Sequence, residues 1–318
     1  MPKYKLATST HFCYDRSCKI PVTHEIERLA FCGFKNLDFN FLDMCMNKNS
    51  DFLSDNYKEW ICNCKRVADY CGVKFVQAHA PCETIWDTNN YDLLVNLCIR
   101  AMECCSVLGI PWMVYHPLNA PKDRFGSDLS CFDFNMKFFK ELLPYAEKYS
   151  VGIAIENIIP FYGGTDLTKM IDEQINLVDS LNSELVGICL DVGHLNLLHT
   201  INGTDNFRKQ SDIIKMFGKR LKCTHIHDNM ARNFPDIIKA NPQSGFYDYG
   251  NKFDEHLSPY MGSIDWDDVI AGLDAIDYEH YFTYECHNAA AKLPSHLVNN
   301  ALIQLREIGE FMISKSTK

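Results

Sequence analysis

The sequence predicts an α/β chain folded as a closed (β/α)8 barrel, the TIM barrel architecture, and three observations carry that expectation. Eight short β-rich runs alternate with longer segments whose apolar residues recur at helical spacing. The runs are apolar on both faces, as strands of a parallel sheet covered by helices must be. Eight such units in 318 residues suit a closed barrel better than an open sheet, and no GxGxxG follows the first run. No linker, low-complexity stretch or internal repeat divides the chain, so one domain over residues 1–318 is expected.

The runs are YKLAT (4–8), KNLDFN (35–40), VKFVQAH (73–79), WMVYH (112–116), VGIAIE (151–156), VGICLD (186–191), LKCTHIH (221–227) and YFTYE (281–285). Between them lie helical patterns such as DFLSDNYKEWICNCKRVADYCG and YDLLVNLCIRAMECCSVLG. Several of these end at glycine, namely Gly33, Gly72 and Gly109, as helix C-termini tend to.

Composition narrows the function classes. An apolar fraction of 47% with 23% charged residues is that of an ordinary globular protein. No apolar run approaches the roughly 20 residues that span a bilayer. The opening MPKYKLATSTHF lacks the apolar core of a secretory signal, so cytoplasmic residence is expected. The 15 cysteines are scattered through apparent helices and strands and form no paired CxxC units, which fits a reduced compartment. A net charge of −10 without a block of Lys and Arg argues against nucleic acid as a partner.

In such barrels the chemistry sits at the C-terminal strand ends. The third run gives His79, the fourth His116, the fifth Glu156, and the sixth Asp191 with His194 close behind. The seventh gives His225, His227 and Asp228, and the eighth Glu285. Each has an ordinary reading: a histidine there is commonly a hydrogen-bonded structural residue, and Asp191 can cap the following helix. His11, His199 and His287 are read as surface or structural. Six successive strands ending in oxygen or nitrogen ligands nevertheless point to one shared cause. Crowded carboxylates at a barrel mouth resist burial unless a cation neutralises them. Mixed carboxylate and imidazole ligands suit Mn²⁺, Zn²⁺ or Fe²⁺ better than Mg²⁺.

On these residues, from HAP at 79–81 to YE at 284–285, the sequence resembles the xylose isomerase-like barrel superfamily. That group includes sugar and sugar phosphate isomerases and epimerases, inosose dehydratases and the AP endonucleases of the endonuclease IV type. The resemblance implies a shared metal site on Glu156, Asp191, His225 and Glu285, with His227 as the alternative to His225. The spacing from His225 to Asp228 favours His225. It further implies ligands for a second and a third ion: His79 and His116, then His194 with Asp254 and His256 from DEH, followed by MGSIDW (261–266).

As a sugar isomerase or epimerase, the chain would use Mn²⁺ or Zn²⁺ to stabilise an enediolate. Glu156 and Glu285 would remove and return the proton beside the carbonyl. His194, His116 and His227 would contact the substrate. Trp86, Trp112 and Phe161 are candidate apolar walls for a sugar ring. A lyase or dehydratase on sugar-derived compounds starts with the same proton removal. The nuclease alternative has the nine matched positions in its favour. Against it stand the acidic balance, the missing GAHVS-like opening, and Cys82-Glu83 where the nuclease has an aromatic residue that enters DNA. A barrel keeping the ligands for a purely structural ion ranks last, because structural metals are enclosed and these ligands ring an open mouth. The partner expected is a small sugar or sugar phosphate, selected by the long stretch 228–264.

Overall fold

The computed structural model describes residues 4–12, 20–45, 48–82, 91–118, 130–158, 171–201, 209–232, 254–290 and 293–318. Eight parallel strands follow one another around the sheet: β1 (Lys5–Ser9), β2 (Asn36–Asn40), β3 (Lys74–His79), β4 (Trp112–Tyr115), β5 (Gly152–Glu156), β6 (Val186–Asp191), β7 (Leu221–His225) and β8 (Tyr281–Tyr284). Each pairs with its sequence neighbour, and β1 pairs with β8. The remaining seam, β7 to β8, closes through Ile226. Its N–H donates to Thr283 O at 2.8 Å, and its carbonyl accepts from Glu285 N at 3.1 Å. The predicted run 221–227 therefore ends its regular ladder at His225. Beyond that point β6 has given way to a helix, and only β8 remains to pair with.

The helices Val22–Phe31, Tyr57–Cys71, Tyr91–Leu108 and Cys131–Tyr149 follow β1 to β4, and their apolar sides pack on the outside of the sheet in one large core. Gly72 (φ +66°) and Gly109 (φ +75°) end two of them in the left-handed conformation that a side chain resists. No helix among the described residues is long and apolar enough to cross a membrane.

The barrel interior is filled differently. Val114, Ala154, Cys189 and Cys223 from β4 to β7 form a small buried layer, and cysteine serves there as a compact apolar residue. The described cysteines are all free thiols. Burial pushes the Cys189 and Cys223 thiols far up, as expected of inert packing groups.

Trp112 opens β4 and packs against this layer, level with Gly152. It thus sits about 13 Å of strand away from His116 and is not part of the mouth. A Cβ on residue 152 would lie 2.3 Å from two Trp112 ring carbons, so glycine is what lets the indole fold over β5. Gly152→Ala should therefore cost about 1–3 kcal/mol through overpacking. A lowered urea midpoint with unchanged slope would show it; an unchanged midpoint would refute this account of the glycine.

Candidate metal centre at the barrel mouth

Strand geometry brings the predicted groups together. Ligand atoms of Glu156, Asp191, His225 and Glu285 lie within 4.8 Å of one another. Two further sets meet the same limit, His79 with Glu156 and His225, and His194 with His227, Asp254 and His256. His116 joins the first of these, with Nε2 at 3.1 Å from His79 Nε2 and 3.4 Å from Glu156 Oε2. Trp86, Phe161 and residues 233–253 of the stretch expected to select substrate lie outside the described residues.

Backbone carbonyls orient three of the rings. His79 Nδ1 donates to Ala80 O (2.9 Å), His194 Nδ1 to Asn157 O (3.0 Å) and His256 Nδ1 to Glu285 O (2.7 Å). Each therefore aims Nε2 into the cavity, the arrangement typical of metal-ligating histidine. His194 Nε2 and His256 Nε2 both face Asp254 Oδ2, at 3.2 and 2.8 Å. His256 reaches this place from a left-handed backbone (φ +44°), an uncommon conformation for a side-chain-bearing residue.

The charges are buried together. Burial opposes ionisation of Glu156, but His225 and His116 outweigh it and hold the carboxyl well below the usual range. Burial likewise opposes Asp191, and His194 and His227 lower it; His256 and His194 do the same for Asp254. Conversely, burial disfavours a proton on His225, yet Glu285 and Glu156 raise it to about 10. His256 is raised to about 9 by Asp254 against its burial. His79 alone in this set goes down, to about 4, through burial and the adjacent His116.

These residues fit a divalent cation. Both Glu156 oxygens and both His225 nitrogens are buried without a hydrogen-bond partner among the described residues. Yet Glu156 Oε2 lies 3.3 Å from His225 Nδ1, and Glu285 Oε2 lies 3.4 Å from that same nitrogen. Metal–ligand arms of about 2.0–2.2 Å place neighbouring ligand atoms at such separations, and the donors are the carboxylates and imidazoles that Mn²⁺ and Zn²⁺ prefer.

Asp191 also caps the helix Val192–Ile201, its Oδ1 accepting from His194 N at 2.6 Å, so the ordinary reading and the site reading hold at once. Asp228 faces away from the cavity. Its carboxylate accepts from Asn229 N, Ile264 N and Trp266 Nε1, which ties 254–266 to the end of β7. A Cβ on Gly262 would meet Asp228 Oδ1 at 2.2 Å, which explains the glycine in MGSIDW.

Sequence reasoning passed over several residues at the mouth. His11, set aside as structural, pairs with Asp43, and its ring meets His287 at 4.4 Å; His287 in turn lies 3.9 Å from His256. Asn157 brackets Asp191, donating to its carbonyl and accepting from its N–H at 2.8 Å each. Its place directly after Glu156 was the available signal. Asp38 on β2 is buried, and burial together with Glu285 raises it to about 6 against the pull of His225.

Fold and cavity together define a (β/α)8 protein whose mouth gathers carboxylates and imidazoles from successive strand ends. The chain belongs to the xylose isomerase-like TIM barrel family, which it matches over residues 34–307. Among curated relatives, an uncharacterized protein, y4fM, of Sinorhizobium fredii is 24% identical over 194 residues, 60% of this chain and 52% of the relative. A probable endonuclease 4 of Mycoplasma capricolum is 26% identical over 165 residues, 50% of this chain and 54% of the relative. The chain thus spans about half the length of the curated relatives it matches. Of solved structures, a D-tagatose 3-epimerase-like protein superposes with a TM-score of 0.69 at 19% identity, covering 98% of this chain and 97% of that one. A D-psicose 3-epimerase crystallised with D-fructose gives 0.67 at 12%, covering 97% and 99%.

The raised histidines carry a testable consequence. Between about 6.5, the ordinary histidine value, and about 9, both His225 and His256 are protonated in the cation-free chain. A cation must displace those protons, so zinc uptake in this range should release protons and tighten as pH rises. The stability these protonated rings contribute is complete below about 6.5 and is lost as pH rises through about 9 to about 10. Calorimetry in buffers of different ionisation enthalpy measures the release; zinc uptake without it would contradict this charge assignment.

Proposed function

We propose that this chain is a divalent-cation-dependent isomerase or epimerase of a small sugar or sugar phosphate. The observation that carries the reading is the convergence of Glu156 and Glu285 with Asp191 and His225 inside 4.8 Å at the barrel mouth. The D-tagatose 3-epimerase-like protein and the D-psicose 3-epimerase among the structural neighbours support the same class.

Glu156, Asp191, His225 and Glu285 would hold the ion, Mn²⁺ or Zn²⁺, and His79, His116, His194, Asp254 and His256 would offer places for more than one. When bound, the cation would draw electron density from a substrate carbonyl and acidify the neighbouring carbon. The two glutamates serve as the acid/base pair. The Glu285 side chain is 12% exposed and the Glu156 side chain 1%, so one carboxylate opens to the mouth and the other stands deeper. A carboxylate oxygen of one would take the proton from the carbon and end protonated, while the other, entering the reaction as the carboxylic acid, would deliver its own proton to the opposite face and end ionised. In the cation-free chain Glu156 is kept ionised by His225 and His116. His194 and His116, at the edge of the same cavity, would orient substrate hydroxyls. The free thiols fit a reducing, cytoplasmic setting, and one domain over 1–318 accommodates the whole site.

A nuclease reading has two specific observations in its favour: three adjoining ligand groups, with Glu156 and His225 each shared between two of them, and the probable endonuclease 4 among the matched relatives. The two readings separate experimentally. A screen of ketohexoses and inososes should yield interconversion that Glu156→Gln and Glu285→Gln each reduce by roughly 10²–10⁴-fold with the fold retained by circular dichroism. Full activity in either variant would remove the acid/base assignment. Efficient nicking of an abasic-site duplex would replace the sugar reading with the nuclease one.

A further inference from the structure

We propose that His227 is a positioning residue whose Nε2–H donates to the Asp191 carboxylate and aims it at Glu156, His225 and Glu285, a role that rests on the cation reading above. The sequence offered His227 as a substrate contact or as the alternative ligand to His225. Its geometry favours a third role. The ring is fully buried, and Nε2 lies 3.0 Å from Asp191 Oδ1 and 3.1 Å from Oδ2. Asp254 Oδ1 is farther, at 3.7 Å. His194 Nε2 and His256 Nε2 face Asp254 Oδ2, whereas His227 Nε2 lies against both oxygens of Asp191. His227 therefore serves the metal centre through Asp191, and the Asp254 set is left with His194, Asp254 and His256 as its ligands.

Asp191 is fixed from two directions. The His194 N–H holds Oδ1 at 2.6 Å, while His227 reaches both oxygens from the far side of the β6–β7 seam. Asn157 anchors the Asp191 backbone as well. The carboxylate cannot swing without breaking one of these contacts, so its remaining lone pairs stay directed at the cavity.

The place of the ring is made by Gly193. A Cβ there would lie 2.0 Å from His227 Cε1 and 2.4 Å from Nδ1, distances that force the imidazole out of position. Asn229 Nδ2 donates to Gly193 O at 2.9 Å and holds that backbone in register with the end of β7. The His256 ring stacks on His227 at 3.9 Å, with 15° between planes. The glycine of LDVGH and the second histidine of HIHDN thus form one device, and disturbing either should disturb Asp191.

Zinc affinity, read by competition with a chromophoric chelator, tests this without any turnover measurement. His227→Ala should weaken binding roughly 10–100-fold, as loss of a ligand's outer partner does. His227→Gln, which keeps an N–H donor, should recover most of that loss. Gly193→Ala should weaken binding by a similar factor, because it displaces the ring. In the double variant the clash is gone, so its loss should be no greater than that of His227→Ala alone. Unchanged affinity in His227→Ala, or losses that simply multiply in the double variant, overturns the proposal. A wild-type chain that takes up no zinc overturns the cation reading and the proposal together. A wrong sugar class leaves this readout untouched, so the two failures are distinguishable.

Discussion

Buried negative charge has to be matched by buried positive charge, and the mouth of this barrel is organised by that requirement. Glu156, Asp191 and Asp254 are all at most 2% exposed and are held ionised. An isolated buried carboxylate would take up a proton instead. In the cation-free chain, protons retained on His116, His194, His225 and His256 supply the compensation. A divalent cation would supply the same charge with fewer groups, and it would also satisfy the Glu156 and His225 atoms that no hydrogen bond reaches among the described residues. A cation entering this site would have to displace those protons.

The barrel meets this requirement by distributing the ligands. One strand end contributes one or two groups, and parallel register sets them side by side: Glu156 lies level with Cys189, and Asp191 level with His225. A buried apolar layer of Val114, Ala154, Cys189 and Cys223 adjoins them as a floor. Such a floor lowers the local dielectric and strengthens every charge interaction above it. Orientation comes from the backbone: the carbonyls of Ala80, Asn157 and Glu285 each fix an imidazole, so the ring aims depend on strand ends rather than on mobile loops.

Much of this was legible in the chain itself. Apolar runs on both faces gave the eight strands to within a residue or two, and the left-handed glycines marked helix ends. The strand-end rule picked out Glu156, Asp191, His225 and Glu285, which the structure gathers within 4.8 Å. The rule was set aside at Trp112, which opens its run instead of ending it. Strand direction puts Trp112 at the closed end, over Gly152. It also undervalued His11 and His287, which stand outside the regular strand ends and enter the mouth only through short 3-10 turns.

By itself, then, the amino-acid order determined the architecture and the inventory of chemistry, because both depend on local periodicity and on side-chain type at strand termini. Tertiary structure decided the division of labour among similar side chains. Which of His225 and His227 faces the shared cavity, and which supports Asp191 from behind, follows from where β7 leaves β6 and from the missing side chain at Gly193. Two histidines spaced two apart look alike along a chain; only the atoms packed around each ring set His225 against Glu156 and Glu285 and His227 against Asp191.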